Sequence, residues 1–395
     1  MTRTRRAMQA LNHNPSKKLL ELEGLRGVAA LAVVLSHLAL EFFPTLINGS
    51  GDNALQVWVY NSPFRFLYSG LFAVCIFFVM SGFVLSRKYL RTHDGAVLAD
   101  GTIKRYFRLM PPVLISTILL TLSICIVRDV PPQRWAELFF SSTKEALYGS
   151  FLFGHNANNS VLWTMQIEFL GSLGLFAFLA VFGRSRWAPL AVVACAAALM
   201  KLSPLFGYFF ALFLLGIYID KAHRLLRGPI GFCAFLFGLY LGGYDAPSAA
   251  YRHVVVFANT LQFEYGIHLN WPLLFPAIGS LLVVASALAC APVSRFLSCR
   301  TAVWLGAISF SLYLTHTMTL VFITHPVGQL LTPLLGAGPS SVIVSLLAIS
   351  ASLLVASYFT RLVDVPSVVL ANRVGKRAME RVYRRRLAQA DGVSN

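Results

Sequence analysis

Leu22-Glu23-Gly24-Leu25-Arg26-Gly27-Val28-Ala29-Ala30-Leu31-Ala32-Val33-Val34-Leu35-Ser36-His37 decides the fold class. Read on to residue 46, it supplies the ~20 apolar residues that a bilayer-crossing helix needs. Arg26 stands at its charged entrance and His37 near its middle. Eleven residues are close to three helical turns, so the two project from one face, roughly 16 Å apart along the axis. An ionisable group at that depth costs about 2.5–3.5 kcal/mol even on insertion-derived scales. Two roles would retain it: proton transfer near neutral pH, or a hydrogen bond between packed helices. Glu41, four residues on, lies on the same face. It either orients the imidazole or marks the outer interface.

The rest of the chain has the same character. Of 395 residues, 57% are hydrophobic and 12% charged, about half the charged share of a soluble domain. The sequence therefore predicts an all-α, polytopic integral membrane protein. A net charge of +17 would indicate nucleic acid in a soluble protein. Here the basic residues cluster in an N-terminal arm (Arg3, Arg5, Arg6, Lys17, Lys18), beyond the second apolar segment (Arg87, Lys88, Arg91, Lys104, Arg105, Arg108) and in the tail from Arg373 to Arg386. That is the positive-inside pattern, and no nucleic-acid partner is expected. The first helix should remain as an anchor, because a long basic arm precedes it. Six cysteines lie scattered with no CxxC pair, which indicates neither a disulfide framework nor a metal site.

Hydropathy places about ten transmembrane helices, at 25–46, 66–86, 105–127, 160–182, 187–202, 205–220, 229–244, 272–291, 301–323 and 339–361. Residues 253–270 are expected to form a loop or short interfacial element, because Gln262, Glu264, His268 and Asn270 interrupt them. The division is a basic arm over 1–19, a membrane domain over 20–370 and a basic tail over 371–395. An even number of spans puts both termini on one side. With the termini cytoplasmic, only Arg65, Arg128, Arg134, Lys144, Lys201 and Arg252 fall outside, and Arg26 lies within the first helix. The aromatic-rich outer segment from Arg128 to Ser160 is long enough to carry structure of its own. Short helices at or below the outer surface are expected there.

Three further polar groups interrupt apolar runs. Arg105 and Arg108 lie three apart on one helix face. Guanidinium forks match phosphate oxygens bidentately, but they also snorkel to lipid headgroups. Glu168 enters an apolar run with no basic neighbour in sequence, so it should face the bundle interior and find a partner there. It serves acid/base work, positions a hydroxyl or is structural. His316 is a second intramembrane histidine, either an acid/base partner or a packing residue. Asp364 and Pro366 end the tenth helix and look structural. His155, His253, His268 and His325 are expected in loops.

Taken in order, these segments resemble the membrane acyltransferase 3 family of O-acyltransferases, over roughly residues 20 to 370. Leu22 to Gly27 followed by His37 resembles the family's opening, a basic residue, ten residues, then histidine. Phe77-Phe78-Val79-Met80-Ser81-Gly82-Phe83 is similar to its FFxxSGF signature. Arg105 to Pro111 resembles RxxRIxP, and Trp163-Thr164 through Glu168 resembles WSLxxE. Ser311 to His316 resembles SxYLxH, and Val363-Asp364-Val365-Pro366 resembles the closing ExP. Phe169 stands where a second acidic residue is common, Asp364 where Glu is usual, and Met110 sits inside the arginine element. No SGNH-type esterase domain follows the last helix, so a second transfer step is expected to need a separate protein.

The resemblance implies transfer of an acyl group, most often acetyl, from cytoplasmic acyl-coenzyme A to a hydroxyl. The acceptor is expected to be a carbohydrate on a surface glycan, glycolipid or glycosylated metabolite. It implies a multi-pass protein of the inner (plasma) membrane, in contact with membrane lipids and with no metal. Arg105 and Arg108, with Arg26, would hold the donor's phosphates. His37 would be general base or transient acyl carrier, with Glu168 and His316 in support. The alternative is a proton-coupled transporter or flippase of a glycan or lipid intermediate, whose His and Glu form a relay.

Overall fold

The computed structural model describes residues 19–392, with side chains through Arg381. The arginines and lysines of the basic arm lie outside the described residues. Among the described residues every regular element is helical. The principal helices are α1 (Leu20–Phe42), α2 (Gly70–Thr92), α3 (Gly95–Val127), α4 (Trp163–Phe182), α5 (Ala188–Leu202), α6 (Gly207–Gly216), α7 (Gly228–Gly242), α8 (Trp271–Ala289), α9 (Arg300–Leu335), α10 (Ala337–Phe359) and α11 (Val365–Gly392). Seven are long and apolar enough to cross a membrane: α1 to α4, α8, α9, and α10 running on toward α11. The ten expected segments all recur as helices, but α5, α6 and α7 have only 15, 10 and 15 residues. At 1.5 Å per residue they reach about 22, 15 and 22 Å, short of the ~30 Å hydrocarbon thickness.

Three boundaries differ from the hydropathy reading. Helix α3 starts ten residues before Arg105, because Asp94 caps it by accepting the Ala96 N–H at 2.9 Å. Helix α9 runs to Leu335 rather than 323, through Pro326 and Pro333. Membrane helices tolerate proline when neighbours or local adjustments satisfy the freed carbonyls. The tail is a continuous helix, α11, joined to α10 by a π-type turn at Thr360–Asp364. His253 and His325, expected in loops, therefore lie on helices, at Arg252–Phe263 and in α9.

Glycine contacts set the register of the bundle. Helices α1 and α9 run parallel and nearly touch. A Cβ at Gly306 would stand 2.0 Å from the Glu23 carbonyl oxygen, and one at Gly27 2.4 Å from the Gly306 nitrogen. Such small-residue contacts replace the hydrophobic drive that lipid abolishes. From Gly27 to His37 is ten residues, and from Gly306 to His316 also ten. The register that seats glycine on glycine therefore seats histidine on histidine. Helices α2 and α6 meet the same way, at Gly82 on Phe213 and Gly216 on Val79.

The outer segment folds back into the bundle. After α3, residues Trp135–Lys144 form an α-helix that continues as a π-helix over Glu145–Phe153. Thr121 of α3 meets Ser142 at 2.7 Å, and the Tyr106 hydroxyl donates to the Leu147 carbonyl at 2.9 Å. Those partners on α3 are fifteen residues apart, so the segment packs along much of that helix. The buried Glu145 carboxylate anchors its return by accepting the backbone N–H groups of Asn158 and Asn159, each at 3.0 Å. Beyond the long helices, Asp245 accepts the Tyr60 hydroxyl at 2.7 Å and pairs with Arg65 at 3.3 Å. Burial, reinforced by Asp245, pushes the Tyr60 pKa up to about 12.

Candidate active site

A cavity of about 200 Å³ lies among α1, α2, α3, α4 and α9. Along α2 it extends from Val74 to Leu85, eleven residues or roughly 16 Å. Its two ends differ in chemistry. Arg26, Arg105 and Arg108 gather at the end toward which α2 runs and from which α1 starts. The opposite end is walled by Phe77, Phe78, Met165 and Tyr313.

The three arginines are not equivalent. Arg105 pairs with Glu168 and donates from Nε to Ser172 Oγ at 2.7 Å. Ser81 donates to the same carboxylate at 2.9 Å. The side chains of Arg105 and Glu168 are 13% and 16% exposed, so each neutralises a charge that would be costly alone. Glu168 thus finds the interior partner that its sequence setting demanded, sixty-three residues away. Arg108 pairs with Asp364 in the π-turn and donates to Ser367 Oγ at 3.0 Å, and its guanidinium lies over the Phe310 ring at 5.1 Å. Pro112 has no N–H to give the Arg108 carbonyl. Ser367 Oγ stands 3.3 Å from that oxygen. Asp364 therefore has a structural part, as its place at the end of the tenth helix indicated. Arg26 lines the cavity half-buried and has no hydrogen bond or ion pair among the described residues.

The histidines lie beyond the apolar end. Arg26 faces the cavity, whereas His37 does not line it. The His37 ring instead meets His316, with centroids 5.0 Å apart. His316 is fully buried, and its Nδ1 lies 3.1 Å from the Leu312 carbonyl oxygen. A carbonyl can only accept, so Nδ1 carries a hydrogen. Its Nε2 is buried without a partner among the described residues. Glu41 is exposed, so the group that meets the imidazole is His316. Between cavity and histidines stand Phe77 and Tyr313, packed edge to face at 6.2 Å. Tyr313 is fixed from α4 and the turn before it: its hydroxyl donates to the Val161 carbonyl at 2.9 Å and meets Thr164 Oγ1 at 2.8 Å. Its ring is 6.1 Å from that of His316.

The structure thus joins Arg26, Arg105, Arg108 and Glu168 around one space, and His37 with His316 behind its far wall. Phe77, Ser81 and Tyr313 stand inside sequence motifs that give them no separate task. Ser172 and Ser367 carry no signal in sequence and are ordinary serines until the fold brings them to the arginines. No group of three or more metal-ligating side chains occurs among the described residues.

A family model described as an acyltransferase domain matches residues 19–361. The chain is also 27% identical, over 456 residues, to the O-acetyltransferase PaAT-1 of Phomopsis amygdali, an alignment covering 94% of this chain and 87% of that protein. No solved structure matches.

Proposed function

The chain belongs to this acyltransferase family, and from that premise we propose that it transfers an acetyl group from cytoplasmic acetyl-coenzyme A to a hydroxyl of a sugar. The sugar belongs to a surface glycan, a glycolipid or a glycosylated metabolite. The observation that carries this reading is the polarity of the cavity, with three guanidinium groups at one end and an aromatic wall at the other. A donor with a polyanionic head and an apolar acyl end fits that gradient in one direction. The O-acetyltransferase activity in the relative's name supports acetyl as the group moved.

On this reading the arginine end faces the cytoplasm, the long helices span the inner membrane, and the basic arm and tail flank the membrane domain on the cytoplasmic side. Arg26 holds the donor's phosphates with Arg108 and Arg105. Glu168 keeps Arg105 in place. His37 takes the proton of the acceptor hydroxyl as its oxygen attacks the acyl carbonyl. The carbon–sulfur bond then breaks, and coenzyme A leaves as the thiol, carrying that proton. The His316 ring packs against that of His37 and so positions it.

Mass spectrometry of surface glycans, lipids and glycosylated metabolites from cells with and without the protein tests the acceptor. The reading requires a +42 Da acetyl signature on a carbohydrate that disappears with the protein and with His37→Ala. An unchanged profile of glycans, glycolipids and glycosylated metabolites refutes the sugar acceptor.

A further inference from the structure

We propose that Phe77 and Tyr313 form a collar that sets acyl-chain length, admitting short acyl groups and refusing long ones. The proposal rests on the reading of the cavity as the donor site. The charged end fixes the donor's direction, so the acyl group points to the wall made by these two rings. Beyond the wall lie His37 and His316, at 5.0 Å from each other and with His316 at 6.1 Å from Tyr313. A longer chain would have to pass between the rings or displace one.

The two rings are held differently. Tyr313 is buried and fixed through its hydroxyl to Val161 and Thr164. Phe77 carries no polar anchor and is only partly buried. It packs against two hydrophobic clusters at once, the large one around the cavity and a smaller one of Ala30, Val34, Leu38, Ile308 and Leu312 on the histidine side. It is therefore the partition between the donor cavity and the helices that carry the histidines. Phe77 is the adjustable half of the collar and Tyr313 the fixed half.

The test needs no knowledge of the acceptor. Non-hydrolysable S-ethyl-, S-butyl- and S-octyl-coenzyme A are titrated into the full-length protein in lipid nanodiscs, counting only binding displaced by excess coenzyme A. An open apolar channel would tighten binding about fourfold per added methylene. The collar predicts that affinity in the native protein stops rising, or falls, beyond the shortest chain. Phe77→Ala should raise the ratio of S-octyl to S-ethyl affinity at least tenfold. Phe77→Leu, a milder change for folding, should raise it by less. Affinity that already climbs with chain length in the native protein overturns the collar, as does an unchanged ratio in both variants. Absence of coenzyme A binding to the native protein is a separate result: it removes the donor reading, and the collar with it.

Discussion

Replacing Arg26 with Ala should cost donor affinity and almost no stability, whereas replacing Arg105 should cost both. Arg26 lines the cavity and breaks no internal bond on removal, because it has no partner among the described residues. A charge-assisted hydrogen bond to phosphate is worth about 1.5–3 kcal/mol, a loss of roughly tenfold to 150-fold in coenzyme A affinity. Arg105→Ala leaves Glu168 with Ser81 as its remaining donor, at 16% exposure. Stranding one member of a buried pair costs about 3–5 kcal/mol, and the residual exposure argues for the lower end. Titration calorimetry with coenzyme A and thermal unfolding in one detergent separate the two effects. Arg26→Ala should melt with the native protein, and Arg105→Ala well below it. Native coenzyme A affinity in Arg26→Ala would falsify the assignment of the arginine end to the donor. Equal melting of the two variants would show that the Arg105–Glu168 pair does not support the fold.

Four further outcomes follow from the same geometry. His37→Ala should lower transfer by ~10²–10⁴-fold while the protein inserts and melts normally, and near-normal turnover would remove His37 as base. Arg105→Met combined with Glu168→Leu should recover most of the stability lost in Arg105→Ala, because an apolar pair strands no charge, yet stay inactive; a double variant less stable than the single contradicts this. Alkaline phosphatase fused after Arg386 should be inactive and fused near Asn156 active, and the reverse pattern would turn the arginine end outward. Gly306→Ala should destabilise by about 1–3 kcal/mol or more, since its Cβ would meet the Glu23 carbonyl at 2.0 Å. Gly174→Ala, with nothing within 4 Å of its Cβ, should stabilise by about 0.5–1 kcal/mol; parity between these two would refute the glycine register.

The helices were legible where an apolar run has bilayer length, as in α1, α2 and α4. They were least legible where polar or proline residues lie inside a helix. Gly95 to Lys104 looked like a loop until Asp94 supplied the cap, and the apolar run of α9 ends near residue 323 although the helix continues through Pro326 and Pro333. At the site, the residue types were legible and their pairing was not. Spacing presented Arg105 and Arg108 as two free forks on one face. The fold gives them separate carboxylates, Glu168 from α4 and Asp364 from the turn after α10. Sequence separations of 63 and 256 residues carry no local signal. The pairing of His37 with His316 left a trace, since each follows a contact glycine by ten residues, but that equality means nothing until α1 and α9 are known to run parallel.

The spacing of Arg26 and His37 takes a different meaning in three dimensions. Eleven residues on α1 place both groups on one face, roughly 16 Å apart. The cavity extends over eleven residues of the antiparallel α2, from Val74 to Leu85, so the two intervals have the same axial length of roughly 16 Å. Arg26 marks the charged end, and His37 lies behind the aromatic end. On the proposed reading α1 is a ruler: phosphates held at Arg26 bring the acyl carbon to the Phe77–Tyr313 collar, one helical turn from the histidines. The guanidinium and the imidazole are then kept apart because they act on opposite ends of one long donor.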